Sequence, residues 1–273
     1  LSVRAPRVVA SRTMTRPLVL LSNDDGYDAP GIVQARAALA EWADVITVAP
    51  ETEQSATSHA LSLARPLRPR KVEPGVFAID GTPADCVYVA LHAGDRFLPR
   101  RPDLVVSGIN RGLNLGQDVF YSGTVAAARE GALRNLPALA ASAHVRADLA
   151  KVAALVVRIA RGLLAAPRAA GARAPLLNLN VPERWSGDVR VARTGSRLYE
   201  ELVEFRDDPR GREYLWLGGP GVTHAPDPGA DTEAYDAGAA SLTPLALDLT
   251  NEAQRPLCDA IVAGLSTPAE DPR

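Results

Sequence analysis

Apolar and polar positions along the chain follow two alternating periods. Short, nearly unbroken apolar runs at residues 18–22, 45–49, 104–107, 138–142 and 176–181 read as strands buried on both faces, the habit of a parallel sheet. The segments between them, at 31–42, 84–92 and 124–133, read as helices. After 142, Val152, Leu155, Val156, Ile159 and Leu163 recur at helical spacing and mark one apolar face. Thr82-Pro83 opens the second helix, with Thr as the cap and Pro at the first helical position. Further extended segments fall near 61–67 and 76–79, and a last strand (242–249) precedes a last helix (252–265). This alternation predicts an α/β fold: a Rossmann-like, mostly parallel sheet with helices on both faces.

The texture changes between residues 190 and 218. Two extended segments flank Asp208-Pro209-Arg210-Gly211, a strong turn signal, and predict a long hairpin. Its flanks are charged, yet they carry Leu198, Tyr199, Leu202, Val203, Phe205, Tyr214, Leu215, Trp216 and Leu217. A lone two-stranded ribbon cannot shelter that much apolar area. Either the hairpin is an arm gripping another subunit, or it folds back on its own domain.

Composition narrows the function classes. The chain has 273 residues, 47% hydrophobic and 23% charged, enough for one large core, and a net charge of −2 excludes a basic surface for a nucleic-acid polymer. A small ligand is the expected partner. Arginines and prolines interrupt the longest apolar region, 152–179, so no membrane span is expected. Two cysteines without CxxC spacing, Cys86 and Cys258, fit a reducing cytoplasm, both as buried small hydrophobes. Residues 1–16 hold Arg4, Arg7, Arg12 and Arg16 and no acid, a composition shared with transit peptides. The preferred reading is a disordered extension, with translation beginning at or near Met14 and a single domain over residues 17–273.

The candidate chemistry begins where the first strand runs into Ser22-Asn23-Asp24-Asp25-Gly26. In open α/β sheets ligands bind just beyond the carboxyl ends of strands. Two adjacent carboxylates there suit a hard divalent cation, or the segment is turn chemistry alone. A second polar loop follows the strand at 104–107: Ser107-Gly-Ile-Asn-Arg-Gly-Leu-Asn-Leu-Gly116, then Tyr121-Ser-Gly-Thr124. Asn110 and Asn114 offer amide oxygens and nitrogens, and Ser122-Gly123-Thr124 opens a helix whose free N–H groups suit phosphate. Neither GxGxxG nor a P-loop occurs. The third loop, residues 50–58, brings Ser55 to the same end of the sheet, as a ligand or as a polar turn.

Taken together, these segments resemble the SurE family of metal-dependent nucleoside monophosphate phosphatases. The resemblance rests on residues 18–26, Ala29-Pro-Gly-Ile32, Val48-Ala-Pro50 with 55–58, Gly81-Thr-Pro-Ala-Asp-Cys86 and 107–131, and more weakly on Asn178-Leu-Asn-Val-Pro182 and Asp208-Pro-Arg-Gly211. Tyr27-Asp28, Arg111 and Leu113 are modest departures. The resemblance implies that Asp24, Asp25, Ser55 and Asn110 ligate one divalent ion, Mn²⁺ or Mg²⁺. It implies that Asn114, Ser122, Gly123 and Thr124 contact phosphate. Asp24 and Asp25 are the catalytic candidates, one of them expected to orient or deprotonate the attacking water, with direct attack by an aspartate as the alternative. The implied substrates are nucleoside 5′- or 3′-monophosphates and other small phosphate monoesters; the sequence leaves open whether short polyphosphate is also cut. A homodimer or homotetramer with exchanged arms and C-terminal segments is also implied.

Two rivals from other classes remain. A haloacid-dehalogenase-like phosphotransferase needs Asp-x-Asp after the first strand and a later lysine, whereas here the aspartates are adjacent and only Lys71 and Lys151 occur. A non-catalytic nucleotide-binding module would keep the loops without an activating cation.

Overall fold

Strand β1 (Leu18–Ser22) is entirely buried, between β2 (Asp44–Pro50) on one side and β5 (Leu104–Arg111) on the other, both parallel to it. The computed structural model describes residues 16–169, 171–200, 203–218 and 221–265, and builds a nine-stranded sheet around this trio. Beyond β2 lie β4 (Val76–Ile79), parallel, and the antiparallel edge strand β3 (Pro69–Glu73). Beyond β5 come β6 (Ala138–Ala143) and β7 (Leu176–Val181), both parallel, then β13 (Ala240–Leu245), antiparallel, and β8 (Val189–Val191).

Helices α1 (Pro30–Ala40) and α4 (Leu149–Ala165) cover one face, and α2 (Pro83–His92) and α3 (Gly123–Leu133) the other. Because side chains alternate along a strand, Val19 and Leu21 pack with Ile32, Leu39 and Val156, while Leu20 packs with Val48, Val87 and Val125. Each such buried aliphatic side chain stabilises the fold by about 1.5–3 kcal/mol. Asp148 caps α4, and Thr82 with Asp85 forms a reciprocal capping box on α2. The chain leaves β1 through α1 to β2 on one side, while β5 pairs on the other. Strand order therefore reverses at β1, and the crevice beyond the ends of β1 and β5 is where such a sheet takes a ligand.

Several expected boundaries move. No strand forms at 61–67, where the backbone bonds locally: Ser62 N–H donates to Asp85 at 2.8 Å, and Leu63 N–H donates to the Leu61 carbonyl at 3.1 Å. The edge strand forms instead as β3. The last strand ends at Leu245 rather than 249, and the short acidic helix α5 (Asp231–Asp236) has no apolar period to announce it. Residues 189–191 join the main sheet, so the hairpin proper is β10 (Val203–Asp207) with β11 (Glu213–Leu217). Its root is β9 (Arg197–Tyr199) paired with β12 (Val222–His224). The expected tight turn is present: Asp208 Oδ1 accepts the N–H groups of Arg210 and Arg212 at 2.8 and 2.9 Å.

Every residue of β10 and β11 is exposed, so the hairpin does not fold back on its own domain. Helix α6 (Arg255–Leu265) is likewise exposed throughout, with Leu257, Ile261, Val262 and Leu265 outside any core. Cys258 lies on it and is exposed, contrary to expectation, whereas Cys86 is buried. Residues 1–15 of the expected extension lie outside the described residues. Arg16 belongs to the domain, donating to the Ala40 and Ala43 carbonyls at 2.6 and 2.9 Å.

Candidate functional site

The turn after β1 is closed by Asn23, whose Nδ2 donates to the Gly26 carbonyl at 2.7 Å, and by Gly26 at φ +109°, which a side chain would strain. This turn presents Asp24 and Asp25 to different neighbours. Asp24 is buried against the start of α3, where the hydroxyl and the backbone N–H of Thr124 both donate to its carboxylate. A Cβ at Gly123 would meet the Asp24 Cβ at 2.9 Å and Pro83 Cγ at 3.0 Å, so only glycine lets the helix end approach this closely. Burial pushes the Asp24 carboxyl up to about 6, against the Thr124 hydrogen bonds and with help from the Asp25 charge. Asp25 is also raised by burial and by Glu53, while the backbone N–H of Arg111, 2.9 Å away, and the Arg111 charge draw it back.

On β5 and the loop that follows it, Asn110 Nδ2 donates to the Gly112 carbonyl at 3.1 Å. Asn114 is buried and held on every side. Its N–H donates to Asn180 Oδ1 at 2.7 Å, its carbonyl accepts from Asn178 and Asn180 at 2.8 and 3.1 Å, and its side chain donates to Ser142 Oγ at 2.8 Å.

The third loop carries Ser55, whose hydroxyl donates to Glu53 Oε1 at 2.8 Å. Ala56 and Ser58 sit at positive φ, an unfavourable conformation for residues with a Cβ. Outside contacts hold it: Ser58 donates to the Tyr121 and Phe120 carbonyls at 3.0 and 2.6 Å, and His59 Nε2 lies 3.0 Å from the buried Glu130.

Asp24, Ser55, Asn110, Asn114 and Ser122 line one cavity of about 240 Å³. Asp25 opens into a neighbouring recess of about 450 Å³ with Glu53 and His144, and Asn110 and Arg111 line both. Gly123 and Thr124 do not line either; they lie behind Asp24. Thr124 was expected to offer phosphate a free N–H and hydroxyl, but Asp24 occupies both. Ser122 Oγ accepts from Val125 N–H at 3.0 Å, which leaves its hydroxyl proton to donate into the cavity.

A family model described as Survival protein SurE matches residues 19–201. This chain belongs to the SurE family. A relative from Sorangium cellulosum named 5′-nucleotidase SurE is 65% identical over 235 residues, covering 86% of this chain and 91% of that protein. One from Serratia proteamaculans, named 5′/3′-nucleotidase SurE, is 45% identical and covers 85% of this chain and 91% of its own length. The crystal structure of the SurE protein from Aquifex aeolicus superposes with a TM-score of 0.76 at 35% identity, covering 90% of this chain and 100% of that one.

In this SurE-family chain the site also uses residues that sequence reasoning missed. Asp118 lines the smaller cavity, ion-paired with Arg197 and accepting from the Tyr199 hydroxyl at 2.6 Å. Burial, together with that hydrogen bond, lifts the Tyr199 phenol to about 12. Buried Asp231 accepts from Gly116 N–H at 3.0 Å and Gly195 N–H at 2.8 Å, stapling the asparagine loop to the arm's root. No local pattern marks these. Asn178 and Asn180 did carry a signal: two amides in an otherwise apolar strand must find buried partners.

Proposed function

We propose that this chain is a divalent-metal-dependent 5′-nucleotidase, a phosphoric monoester hydrolase acting on nucleoside monophosphates and related small phosphate esters. The observation that carries this reading is the convergence of Asp24, Ser55, Asn110, Asn114 and Ser122 on one cavity at the point where strand order reverses. Names carried by similar proteins, 5′-nucleotidase and 5′/3′-nucleotidase, support the reaction class. No described cluster of three or more His, Cys, Asp or Glu side chains is placed for a metal, but the set proposed here needs only two carboxylates. Two carboxylates, a hydroxyl and an amide oxygen are hard oxygen donors, the set preferred by Mg²⁺ and Mn²⁺. The fit lies in their setting: Asp24 is buried, neither Asp24 nor Asp25 forms an ion pair with a described lysine or arginine, and burial raises both carboxyls despite the Arg111 charge near Asp25.

When bound, the ion would polarise a phosphoryl oxygen and acidify the attacking water. Asp24, fixed through Thr124, is the anchored ligand. Asp25 faces the wider recess and is the group proposed to take the water proton as the water oxygen bonds to phosphorus; the ester oxygen leaves with the P–O bonding pair and takes a proton from solvent water, freeing the nucleoside. Ser122 and Asn114 steady the remaining oxygens. The recess beside Asp25 would receive the nucleoside, where carboxylates suit ribose hydroxyls better than further phosphates. Short polyphosphate is accordingly the weaker substrate.

The exposed faces of the arm and α6 support assembly into a homodimer or homotetramer, in which another copy covers both. The test of function is turnover of nucleoside 5′- and 3′-monophosphates and of p-nitrophenyl phosphate with Mn²⁺, Mg²⁺ or EDTA. Hydrolysis with either ion and none with EDTA is expected. Metal-independent turnover would overturn the proposal, and a trapped aspartyl phosphate would move it to the phosphotransferase class.

A further inference from the structure

Both cavities are rich in negative charge. The smaller is lined by Asp24 and Asp118, and the larger by Asp25, Asp28 and Glu53. Asp118 is neutralised by Arg197, and a divalent ion would offset Asp24 and Asp25. A phosphate dianion would still enter beside Glu53 and Asp28, which repel it.

Among the residues lining either cavity, Arg111 is the sole lysine or arginine, and it lines both. Its backbone is fixed: its N–H donates to Asp25 Oδ2 at 2.9 Å, and the next residue, Gly112, donates to the Ala143 carbonyl at 2.9 Å. Its guanidinium makes no hydrogen bond or ion pair to any described residue, unlike Arg70 with Glu51 or Arg146 with Glu183; its charge acts only at longer range, on the Asp25 carboxylate. A rooted main chain whose fork of N–H donors makes no hydrogen bond, at the boundary of two acidic cavities, is suited to an anion that arrives with the substrate. Guanidinium geometry matches two phosphoryl oxygens at once.

We propose that Arg111 is a catalytic residue that clamps the non-bridging oxygens of the phosphoryl group between the two cavities, gaining strength as negative charge develops there. This rests on the phosphatase reading. It also makes the position after Asn110 a determinant of how tightly this chain holds phosphate.

The experiment compares the wild-type chain with Arg111→Ala and Arg111→Lys, loaded with Mn²⁺, using p-nitrophenyl phosphate as substrate and inorganic phosphate as inhibitor and calorimetric ligand. For Arg111→Ala, kcat/KM should fall roughly 10²-fold, as when one charge-stabilising donor is lost, with phosphate binding weakened. Mn²⁺ affinity should stay unchanged. Arg111→Lys should recover part of the loss, and guanidinium salt at sub-denaturing concentration should restore turnover to Arg111→Ala but not to wild type. Wild-type kinetics and phosphate affinity in Arg111→Ala would overturn the assignment. So would a loss of activity accompanied by lost Mn²⁺ binding and no guanidinium rescue, which would mean that the residue only shapes the loop. A wild-type chain that hydrolyses nothing, yet binds phosphate in a manner lost in Arg111→Ala, would sink the phosphatase reading and leave the anion clamp standing.

Discussion

The corner beyond β1 and β5 and the arm depart from the ordinary distribution of residues in opposite directions. Beyond β1 and β5, polar groups are buried: Asn23, Asp24, Asn114, Thr124, Asn178 and Asn180 are all below a tenth exposed. In the arm, apolar groups are in the open, with Phe205 and Trp216 each 60% exposed and Leu217 78%. Register puts Phe205 opposite Leu215 and Val203 opposite Leu217, so one hairpin face is a continuous apolar strip. Each departure costs free energy in the isolated chain, and under the proposed function each would be relieved by a partner of matching chemistry: an ion and a phosphate for the corner, a protein surface for the arm. The corner is over-determined by hydrogen bonds. The arm is held by its own ladder, its turn and its root, with no core beneath β10 and β11.

The largest contrast to break is charge in the corner. Asp24→Asn and Asp25→Asn should each lower kcat about 10³-fold or more, the equivalent of about 4 kcal/mol of lost transition-state stabilisation. Asp24→Asn should do so while stabilising the metal-free fold at high pH. An acid raised to about 6 from an ordinary 3.8 contributes stability below its unfolded value, and loses it as pH rises through 6. In EDTA well above pH 6, the neutral amide should therefore gain roughly 2–3 kcal/mol over wild type in urea melts, shrinking towards nothing below pH 4. Equal stability of the two proteins across that range would show that Asp24 titrates normally.

The next contrast is tightness. A Cβ at Gly31 would fall 1.8 Å from the Ile109 carbonyl oxygen, where α1 meets the end of β5, so Gly31→Ala should cost about 3 kcal/mol and disturb Asn110 as well. Denaturation and kinetics together would detect both effects; a fully stable and active variant would mean that α1 shifts freely. For the arm, Phe205→Ser with Leu215→Ser should move the sedimentation profile to smaller species while changing the chain's own unfolding free energy by no more than about 0.5 kcal/mol. An unchanged profile would leave that strip without a role in assembly. The smallest effect is expected at the arm's tip. Gly211 has φ +72° but open space around it, so Gly211→Ala should cost about 1 kcal/mol of local stability, visible by amide exchange in the hairpin and absent from activity.

Periodicity determined the parallel sheet and its helical layers, the Asp-Pro-Arg-Gly signal determined the hairpin turn at Asp208, and the residues after the first apolar run placed the two aspartates at the end of β1. These are properties of a few consecutive residues and the repeat of the backbone they form. Ser55, Asn110, Asn114 and Ser122 were legible as loop residues at strand ends, and they do share a cavity with Asp24. Tertiary structure decided how the polar groups pair. Thr124 gives its donors to Asp24, 100 positions away; Asp231 joins Gly116 to Gly195; and Asp118 meets Arg197 and Tyr199. It also decided that Cys258 lies in the open on α6 while Cys86 is buried. A strand's period is written in neighbours along the chain. The partner of a buried polar group is whichever donor or acceptor the fold brings within about 3 Å, and no local pattern encodes that distance.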